Sequence, residues 1–534
     1  MEKKQKPPPT RGQDKFMEQH RDEVTGVISG LDRVRLRASL PPLCAPEIMT
    51  RYLNKIGVLR KDFAAHVTSM TAKVRLAAER LSQQHGRGPV RYIHSSSLRK
   101  DDYIKELARR DSITSGLIAV LSCVEPCMSH TMRRDPEQKK LVLGMRTAKC
   151  LHYYFYYEHE DYGLMHLRLQ SWYPFQINLC LNGRLWLSRQ LEKENIGFER
   201  RENALLRIDD YARAQQLADQ QIRHNYTTML ETLIAECHPT GAQIREPMHL
   251  RYKLSVEQSE YATDITFKTP EALARTYPRL LRHGIENFGA PEVLRFLGRK
   301  TPAHGHAHAR LKAEVLSELK HRPEGARLKH QLNSNSVKMY DKHAQVLRIE
   351  TTINKPEEFR AYRKTEGKPA RAKRWLPMRR NVADMPRRAQ VSAQINQRYL
   401  EAIGSVRNAK SAGEAARELC RAKRKGPRRY RALNPWSEQD ARLLDIISQG
   451  QWLINGFKNA DVREALYGKT AQRQQRKKDA ARVSRQLALM RAHGLIRKIP
   501  GRNRYLPTRR MSEIVHPLLA ARRANIEELT KLAA

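Results

Sequence analysis

The sequence is poor in acidic residues and cysteine, and it has no long apolar run. Its 534 residues include 56 Asp and Glu against 100 Lys and Arg, which gives a formal net charge of +44. A chain with this charge repels itself unless a polyanion supplies counter-charge, so nucleic acid is the expected partner. A membrane surface is less favoured, because no apolar run approaches about 18 residues and no N-terminal signal-like segment is present. We therefore expect no membrane partner.

The seven cysteines are an odd and scattered set, which does not suit a disulfide framework. The sequence therefore predicts reduced thiols and a cytoplasmic, nucleoid-associated protein. Cys123 and Cys127 are separated by three residues, but no second pair with metal-ligand spacing follows. Small buried side chains are the favoured interpretation of this pair, and a zinc site is the alternative.

Changes in composition divide the chain into four predicted regions. Residues 1–89 are read as a basic arm followed by a helical module, in which Met17, Val24, Val27, Ile28 and Leu31 lie on one helix. Residues 90–365 are predicted to form an α+β core. Residues 366–433 are predicted to be a basic helical connector, and residues 434–534 form a separate C-terminal domain.

Strand patterns in the core favour an antiparallel or mixed sheet with helical elaborations. The apolar run from Gly116 to Val124 suits a buried central strand that ends at Glu125-Pro126. Residues 164–170 alternate like a half-buried strand, and Asn182-Gly183 is a hairpin signal. The short connections between these strands exclude a doubly wound parallel sheet.

The C-terminal region has the pattern helix, helix, hairpin. Apolar residues recur at helical spacing between Thr470 and Gly494, and Gly494 is suited to the position just after a helix. Two short strands follow, separated by the turn residues Pro500-Gly-Arg-Asn503. This pattern, with its Arg- and Gln-rich helix, resembles the winged-helix DNA-binding domain.

The winged-helix resemblance implies that the long helix enters the major groove and the hairpin contacts the neighbouring backbone. Residues of the helix that are expected to face DNA are Arg476, Lys477, Arg482, Ser484, Arg485 and Gln486. Those expected on the hairpin are Arg502 and Arg504. A solvated basic helix packed on a structural hairpin is the alternative.

A second hairpin is predicted between Asn335 and Ile353. It carries Tyr340-Asp-Lys342 on one strand and Leu347-Arg-Ile-Glu350 on the other. This resembles the corresponding hairpin of replication initiator proteins from filamentous phages and rolling-circle plasmids. The resemblance implies a tyrosine nucleophile at Tyr340, a metal-supporting carboxylate at Glu350 and a phosphate contact at Lys342.

A second catalytic hypothesis uses carboxylates instead of a tyrosine. Glu125, Asp264 and Glu350 are predicted to lie at strand ends, where they would converge on Mg²⁺ or Mn²⁺ as in metal-dependent nucleases and transposases. Surface acids paired with the abundant cations are the alternative. His304, His306 and His308 alternate and could bind a metal, although their Ala and Gly neighbours favour a flexible loop.

Basic residues interleaved with aromatic ones follow the core. Tyr362, Trp375 and Tyr430 lie among cations, an arrangement that can neutralise phosphates and stack on unpaired bases. The densest cluster runs from Lys423 to Arg431 and includes Arg424, Arg428 and Arg429. We expect these residues to contact DNA, with a solvated linker as the alternative.

Together these features predict a DNA-binding protein of a mobile element or plasmid-like replicon. Its partner would be duplex or single-stranded DNA, and its activity that of a replication initiator, nickase or transposase. The alternatives are a non-enzymatic DNA-binding regulator or architectural protein and an RNA-binding protein.

Overall fold

The computed structural model describes residues 16–94, 99–137, 139–299, 314–322, 325–364, 373–404, 412–452, 456–500, 503–508 and 510–524. The three histidines between 304 and 308 and the side chain of Arg502 lie outside these ranges. Within them, no helix has the length and apolar character needed to cross a membrane.

Nineteen strands are present in the described residues. They are β1 Val24–Ser39, β2 Arg91–Tyr92, β3 Gly116–Arg134, β4 Leu141–His159, β5 Gly163–Gln170, β6 Ile177–Asn182, β7 Phe198–Arg201, β8 Ala204–Ile208, β9 Lys253–Phe267, β10 Val315–Arg322, β11 Gly325–Leu332, β12 Asn335–Lys342, β13 Val346–Ile353, β14 Arg360–Lys364, β15 Lys373–Pro377, β16 Lys423–Lys425, β17 Arg428–Tyr430, β18 Ile496–Lys498 and β19 Tyr505–Pro507.

α-Helices accompany these strands in the same ranges. They are α1 Pro46–Lys55, α2 Phe63–Gln84, α3 Lys100–Arg110, α4 Gly183–Lys193, α5 Tyr211–Gln221, α6 Tyr226–Cys237, α7 Gly241–Arg245, α8 Pro270–Asn287, α9 Ala290–Phe296, α10 Met385–Ile403, α11 Ala412–Leu419, α12 Glu438–Ser448, α13 Asn459–Tyr467, α14 Arg473–Ala492 and α15 His516–Arg523. The predicted mixture of helices with an antiparallel or mixed sheet is therefore confirmed.

The chain forms two compact units, each assembled from separate stretches of sequence. The first comprises Met1–Gly26, Asp264–Thr351 and Ala393–Ala534, and the second comprises Val27–Thr263 and Thr352–Ser392. Strands of the first unit include the order β10-β11-β12-β13, and those of the second include the order β1-β6-β5-β4-β3-β2. Each adjacent pair in the order β1-β6-β5-β4-β3 is antiparallel, whereas β2 and β3 pair parallel.

In the second unit, both faces of the sheet are covered by helices. The aromatic run in β4 alternates its side chains, as the period of two in a strand requires. Tyr154 and Tyr156 pack with Ile104 of α3, while Tyr157 forms a hydrogen bond with Cys237 of α6 at 3.1 Å. The aromatic character of β4 therefore reflects burial on both sides.

In the first unit, the sheet buries an apolar face against helices. Tyr277 of α8 donates a hydrogen bond to the carbonyl of Ala326 in β11 at 2.5 Å. The ring of His330 lies 5.7 Å from that of Tyr399 in α10 and 5.8 Å from that of Phe288. Alternate residues of β11 and β12 therefore point to the opposite face, which is polar.

The C-terminal part of the first unit has its own apolar core. It joins α11, α12, α13, α14, β18 and α15, and its buried members include Leu419, Leu444, Val462, Val483, Leu487, Met490, Ile496 and Leu518. The predicted long helix and the hairpin after it are confirmed as α14 and β18–β19. Gly494 has a φ of +73°, a conformation that favours glycine at the end of a helix.

The prediction of a helix through Val24, Val27, Ile28 and Leu31 is wrong, because this stretch is strand β1. Its second half alternates Arg33, Arg35 and Arg37 with buried Val34, Leu36 and Ala38. This period of two is typical of a strand. Further along the same predicted helical module, residues Phe63–Gln84 do form a helix, α2.

The hairpin predicted at Asn182-Gly183 is also wrong. Asn182 ends β6 and caps α4, with its side-chain oxygen accepting a hydrogen bond from the amide of Leu185 at 3.0 Å. Gly183 is required here because a Cβ atom would lie 2.0 Å from the carbonyl oxygen of Leu31. Asparagine has therefore acted as a helix cap rather than as a turn residue.

Candidate functional site

The polar face of the first unit's sheet brings together Lys338 and Tyr340 of β12 with Glu350 of β13. The Tyr340 hydroxyl donates a hydrogen bond to Glu350 Oε2, and Lys338 Nζ donates to Glu350 Oε1 at 2.6 Å. Glu350 is buried, whereas Lys338 and Tyr340 are half-buried. The predicted hairpin therefore places the tyrosine and the carboxylate in direct contact.

Glu350 is held as a carboxylate by its cationic neighbour. Burial alone would raise its pKa, but the Lys338 ammonium and the Tyr340 hydroxyl outweigh burial, so the pKa of Glu350 lies below its usual value. A charged acceptor strengthens the hydrogen bond from the Tyr340 hydroxyl. The carboxylate is therefore positioned to receive a proton from Tyr340.

Two further cations on β11 lie directly across from these residues. In the antiparallel register, Arg327 pairs with Tyr340 and Lys329 pairs with Lys338. The pKa of Lys329 is lowered, first by burial and also by the positive charges of Lys338 and Arg327, although Glu318 opposes the shift. We name Arg327, Lys329, Lys338, Tyr340 and Glu350 the tyrosine cluster. Its crowded cations favour an anionic ligand such as a phosphate.

Asp264 has a different neighbourhood from the one predicted. Both of its carboxylate oxygens accept hydrogen bonds from Arg348, at 2.6 and 2.8 Å, and both side chains are completely buried. Asp264 lies within β9 and Glu350 within β13, so neither is at a strand end. The prediction of strand-end carboxylates is wrong for both residues.

Asp264 and Glu125 fit a divalent metal poorly. A Mg²⁺ or Mn²⁺ ion at Asp264 would compete with Arg348 for the same oxygens, and one at Glu125 would compete with Lys100 and Arg168. In the part of the chain that the structure describes, neither Asp264 nor Glu125 belongs to a group of three metal-ligating side chains, and no cysteine does. We therefore derive no chemical step through a metal.

Lys342, the predicted phosphate contact, is only 9% exposed at the end of β12. The chain turns immediately after it, where His343 and Ala344 have positive φ values and the amide of Gln345 bonds back to the Lys342 carbonyl. The more accessible cations beside Tyr340 are Arg327 and Lys329. Sequence reasoning missed both, because their relation to Tyr340 exists only through the pairing of β11 with β12.

Glu125 belongs to the second unit, where it lies inside β3 rather than at its end. The strand continues through Pro126 to Arg134, so the predicted strand end is wrong. Glu125 Oε1 accepts a hydrogen bond from Lys100 Nζ at 2.8 Å, and Oε2 lies 2.9 Å from Arg168 and accepts from the Tyr154 hydroxyl at 2.7 Å. Glu125 therefore links α3 to three strands.

Burial would raise the pKa of Glu125, but Lys100, Tyr154 and Arg168 outweigh it and lower that pKa to about 2. Nearby His152 has a pKa lowered to about 4, mainly by burial and then by Arg168. At neutral pH the group therefore contains two cations, one carboxylate and a neutral imidazole. This is the charge pattern of a structural ion network rather than that of a metal site.

We expect Glu125→Gln to remove stability that the wild type has at neutral pH and loses in acid. Because folding lowers the pKa of Glu125 from 4.5 to about 2, its stabilisation is complete above about pH 4.5 and disappears as the pH falls towards 2. Urea unfolding near pH 7 and near pH 3 should show a smaller difference between variant and wild type in acid.

The control for this prediction is Glu106→Gln, which removes a carboxylate from an exposed ion pair with Arg109 on α3. The free energy of unfolding of that variant should match that of the wild type at both pH values. An equal loss of stability for Glu125→Gln near pH 7 and near pH 3 would show that its charge is not responsible.

The exposed side of α14 is strongly basic. Arg476, Lys477, Arg482 and Arg485 are all exposed, while Val483 and Leu487 are buried. By helical periodicity, Gln474, Lys478 and Arg485 lie nearly opposite the buried side, and Arg482 lies at its flank. The sequence analysis did not include Lys478 among the DNA contacts, because a dense run of charged residues does not show which of them share one face of the helix.

Other residues predicted to contact DNA differ in their surroundings. Ser484 accepts a hydrogen bond from Asn459 of α13 at 2.9 Å, which ties it to the neighbouring helix. Gln486 and Arg504 are half-buried, and the Arg504 carbonyl closes the β18–β19 turn by accepting from the amide of Ile499. Ser484 therefore has a structural role that the sequence did not reveal.

The cluster from Lys423 to Arg431 contains a hairpin rather than a helix or a linker. β16 and β17 pair antiparallel, so Arg424 lies opposite Arg429 and Lys425 opposite Arg428, and all four are exposed. Like charges directly opposite each other destabilise a strand pair. We name β16–β17 the basic hairpin; it contacts α14 through β16.

Comparison with known proteins finds no match to this chain: no protein family fits it, and no curated protein or solved structure is similar to it.

Proposed function

We propose that this protein binds duplex DNA through α14, with β18–β19 as the wing of a winged-helix domain. The observation that carries the proposal is the exposed basic side of α14 opposite its buried apolar side. Helices α12, α13 and α14 followed by a hairpin have the element order of that domain. In such domains the last helix occupies the major groove.

The distribution of charge along α14 supports an anionic partner. Its first turns contain Arg473, Arg476, Lys477 and Lys478, and no acidic residue lies in the first turn. Cations at a helix N-terminus oppose the helix dipole and cost stability in the isolated protein. DNA phosphates at this end would reverse that cost, because they interact favourably with both the cations and the dipole.

The basic hairpin supports the same conclusion from a second element. Its opposed pairs, Arg424 with Arg429 and Lys425 with Arg428, repel each other across the two strands. A phosphate backbone beside them would neutralise this repulsion and release its counter-ions. Because β16 contacts α14, the hairpin extends the basic surface of that helix.

We expect Arg485→Ala to weaken binding to a preferred duplex by about 1–3 kcal/mol, because Arg485 lies at the centre of the exposed side. A preferred duplex is first selected from a randomised duplex pool with the full-length protein. Fluorescence anisotropy then measures the affinities of the preferred and a scrambled duplex over a range of salt concentrations.

The matched control is Arg491→Ala, which removes the same charge from an exposed position in the last turn of α14. Loss confined to the preferred duplex would identify a base contact, whereas equal loss on both with a flatter salt dependence would identify a phosphate contact. If Arg485→Ala binds both duplexes as Arg491→Ala does, α14 is not the DNA-binding helix.

A second candidate function is cleavage of a DNA strand by Tyr340. It is favoured by the hydrogen bond from Tyr340 to the buried Glu350 carboxylate, beside three cations of the tyrosine cluster. It also agrees with the resemblance of this hairpin to that of replication initiators. A nucleophilic hydroxyl, a proton acceptor and a cationic phosphate site are the groups that such a reaction requires.

In this reaction the Tyr340 oxygen attacks the phosphorus of a phosphodiester, and the phenolic proton passes to Glu350. The bond from phosphorus to the 3′ oxygen breaks, and that oxygen takes a proton from solvent. The products are a 5′-phosphotyrosine and a free 3′-hydroxyl. Arg327, Lys329 and Lys338 stabilise the negative charge that develops on the phosphoryl oxygens.

A further inference from the structure

The hairpin β14–β15 of the second unit carries an exposed aromatic pair. Tyr362 and Trp375 lie directly across from each other in the antiparallel register, with ring centroids 5.5 Å apart. They are 52% and 50% exposed. Adjacent large aromatic side chains are seldom this exposed to solvent, because burial would remove roughly 100 Å² of further surface from water for each ring.

The two faces of this hairpin differ in character. Ala361 is buried and Leu376 is half-buried on one face, which anchors the hairpin to its unit. The alternation of strands places Tyr362 and Trp375 on the other face, with Arg360, Lys364 and Lys373 before and after them along the strands. All three of these cations are exposed.

Arg387 of α10 holds the position of the tryptophan. Its guanidinium carbon lies 5.1 Å from the Trp375 ring centroid, and its Nε donates to the Arg360 carbonyl at 2.8 Å. Arg360 in turn donates to the Trp375 carbonyl at 3.2 Å. These contacts fix the hairpin backbone and one side of the ring, so the aromatic pair is ordered before a ligand arrives.

The charge around the pair is strongly positive. The described residues of the segments 354–364 and 373–392 contain ten Lys and Arg but only three acidic residues. Of these acids, Glu357 pairs with Arg380 at 3.0 Å, Glu358 lies 3.7 Å from Lys355, and Asp384 accepts from the amide of Arg379 at 2.7 Å. All three are thus engaged with neighbours inside these two segments.

We propose that Tyr362 and Trp375 form a stacking platform for the bases of single-stranded DNA, with Arg360, Lys364 and Lys373 contacting its phosphates. Unpaired bases expose π faces that stack on aromatic rings, whereas bases in a duplex do not. The platform deepens the proposed function and rests on it, because it assigns the single-stranded part of the same DNA partner to the second unit.

The experiment compares three labelled ligands on the full-length protein by fluorescence anisotropy. These are an oligomer of about 16 thymidines, an abasic oligomer of equal length and a duplex of equal length. Trp375→Ala should weaken thymidine binding by about 5- to 150-fold, since stacking contributes about 1–3 kcal/mol per base. Binding of the abasic oligomer and of the duplex should not change.

Trp375→Phe keeps a ring and should recover most of the affinity, and Tyr92→Ala removes an exposed aromatic side chain from another strand of the same unit as the matched control. Quenching of tryptophan fluorescence by the thymidine oligomer should be smaller in Trp375→Phe than in the wild type.

Equal loss on thymidine and abasic oligomers, or no loss beyond that of Tyr92→Ala, would overturn the platform. Tighter wild-type binding to a uridine oligomer than to the thymidine oligomer would overturn its assignment to DNA. The duplex arm, repeated with Arg485→Ala, separates failure of the platform from failure of α14, because the two sets of residues do not overlap.

Discussion

Tyr340→Phe is expected to abolish formation of a covalent protein–DNA adduct while leaving DNA binding intact. The substitution removes only the nucleophilic oxygen and keeps the ring, so the expected decrease in rate is at least about a thousandfold. The assay incubates the full-length protein with a randomised single-stranded DNA pool and with supercoiled plasmid, in Mg²⁺, in Mn²⁺ and in chelator. Adducts that survive denaturing electrophoresis are then counted.

Glu350→Gln tests the proton acceptor in the same assay. It keeps an oxygen near the Tyr340 hydroxyl but lacks the charge needed to accept the proton, so the rate should fall by about 10²- to 10⁴-fold. Tyr92→Phe, which removes an exposed hydroxyl elsewhere, is the matched control and should form adducts like the wild type.

The outcomes of this assay separate the enzyme from a non-enzymatic binding protein. Adducts from Tyr340→Phe at the wild-type rate would assign the nucleophile to another residue. If the wild type forms neither adducts nor cut strands on any DNA form or with any metal, the result would favour a non-enzymatic DNA-binding regulator. Cut strands without an adduct would favour attack by water, as in the metal-dependent hypothesis.

Asp264→Ala is expected to be severely destabilising, by about 3–5 kcal/mol. The substitution leaves the Arg348 guanidinium completely buried without the carboxylate that now accepts two of its hydrogen bonds. Replacing both residues, as in Asp264→Leu with Arg348→Met, removes the uncompensated guanidinium charge and should recover much of the lost stability. The free energy of unfolding in urea is the measurement.

The matched control for Asp264 is the exposed pair Glu106 and Arg109, where Glu106→Ala should change stability little because solvent already screens the pair. If Asp264 instead served chiefly to bind a metal, Asp264→Ala would leave metal-free stability unchanged and abolish stabilisation by added Mn²⁺. The two roles therefore give opposite results in the absence of metal.

Local patterns in the sequence predicted the elements that carry the two proposed functions. The period of 3.6 residues in α14, the glycine after it and the alternation in β12–β13 are all properties of neighbouring residues. Such patterns also located Tyr340 on a hairpin with Glu350. They failed where a residue has two local roles, as when Asn182 capped a helix instead of forming a turn.

The sequence alone could not predict which cation balances the charge of each candidate carboxylate. Asp264, Glu125 and Glu350 are chemically similar acids within strands, and their motifs alone suggest three metal ligands. Their roles depend on which cation lies beside each of them, and those cations come from other elements: Arg348 is 84 residues from Asp264, and Lys100 is 25 residues from Glu125.

The sequence by itself determined that this is a strongly basic protein with a basic helix followed by a hairpin near its C-terminus, because charge and periodicity are local and additive. Only the tertiary structure decided that Arg327 faces Tyr340, that Tyr362 and Trp375 share one exposed face, and that Asp264 is neutralised inside the protein. The physical reason is that strand register and burial set the neighbours of a side chain, and those neighbours decide whether its charge is free for a ligand or already compensated.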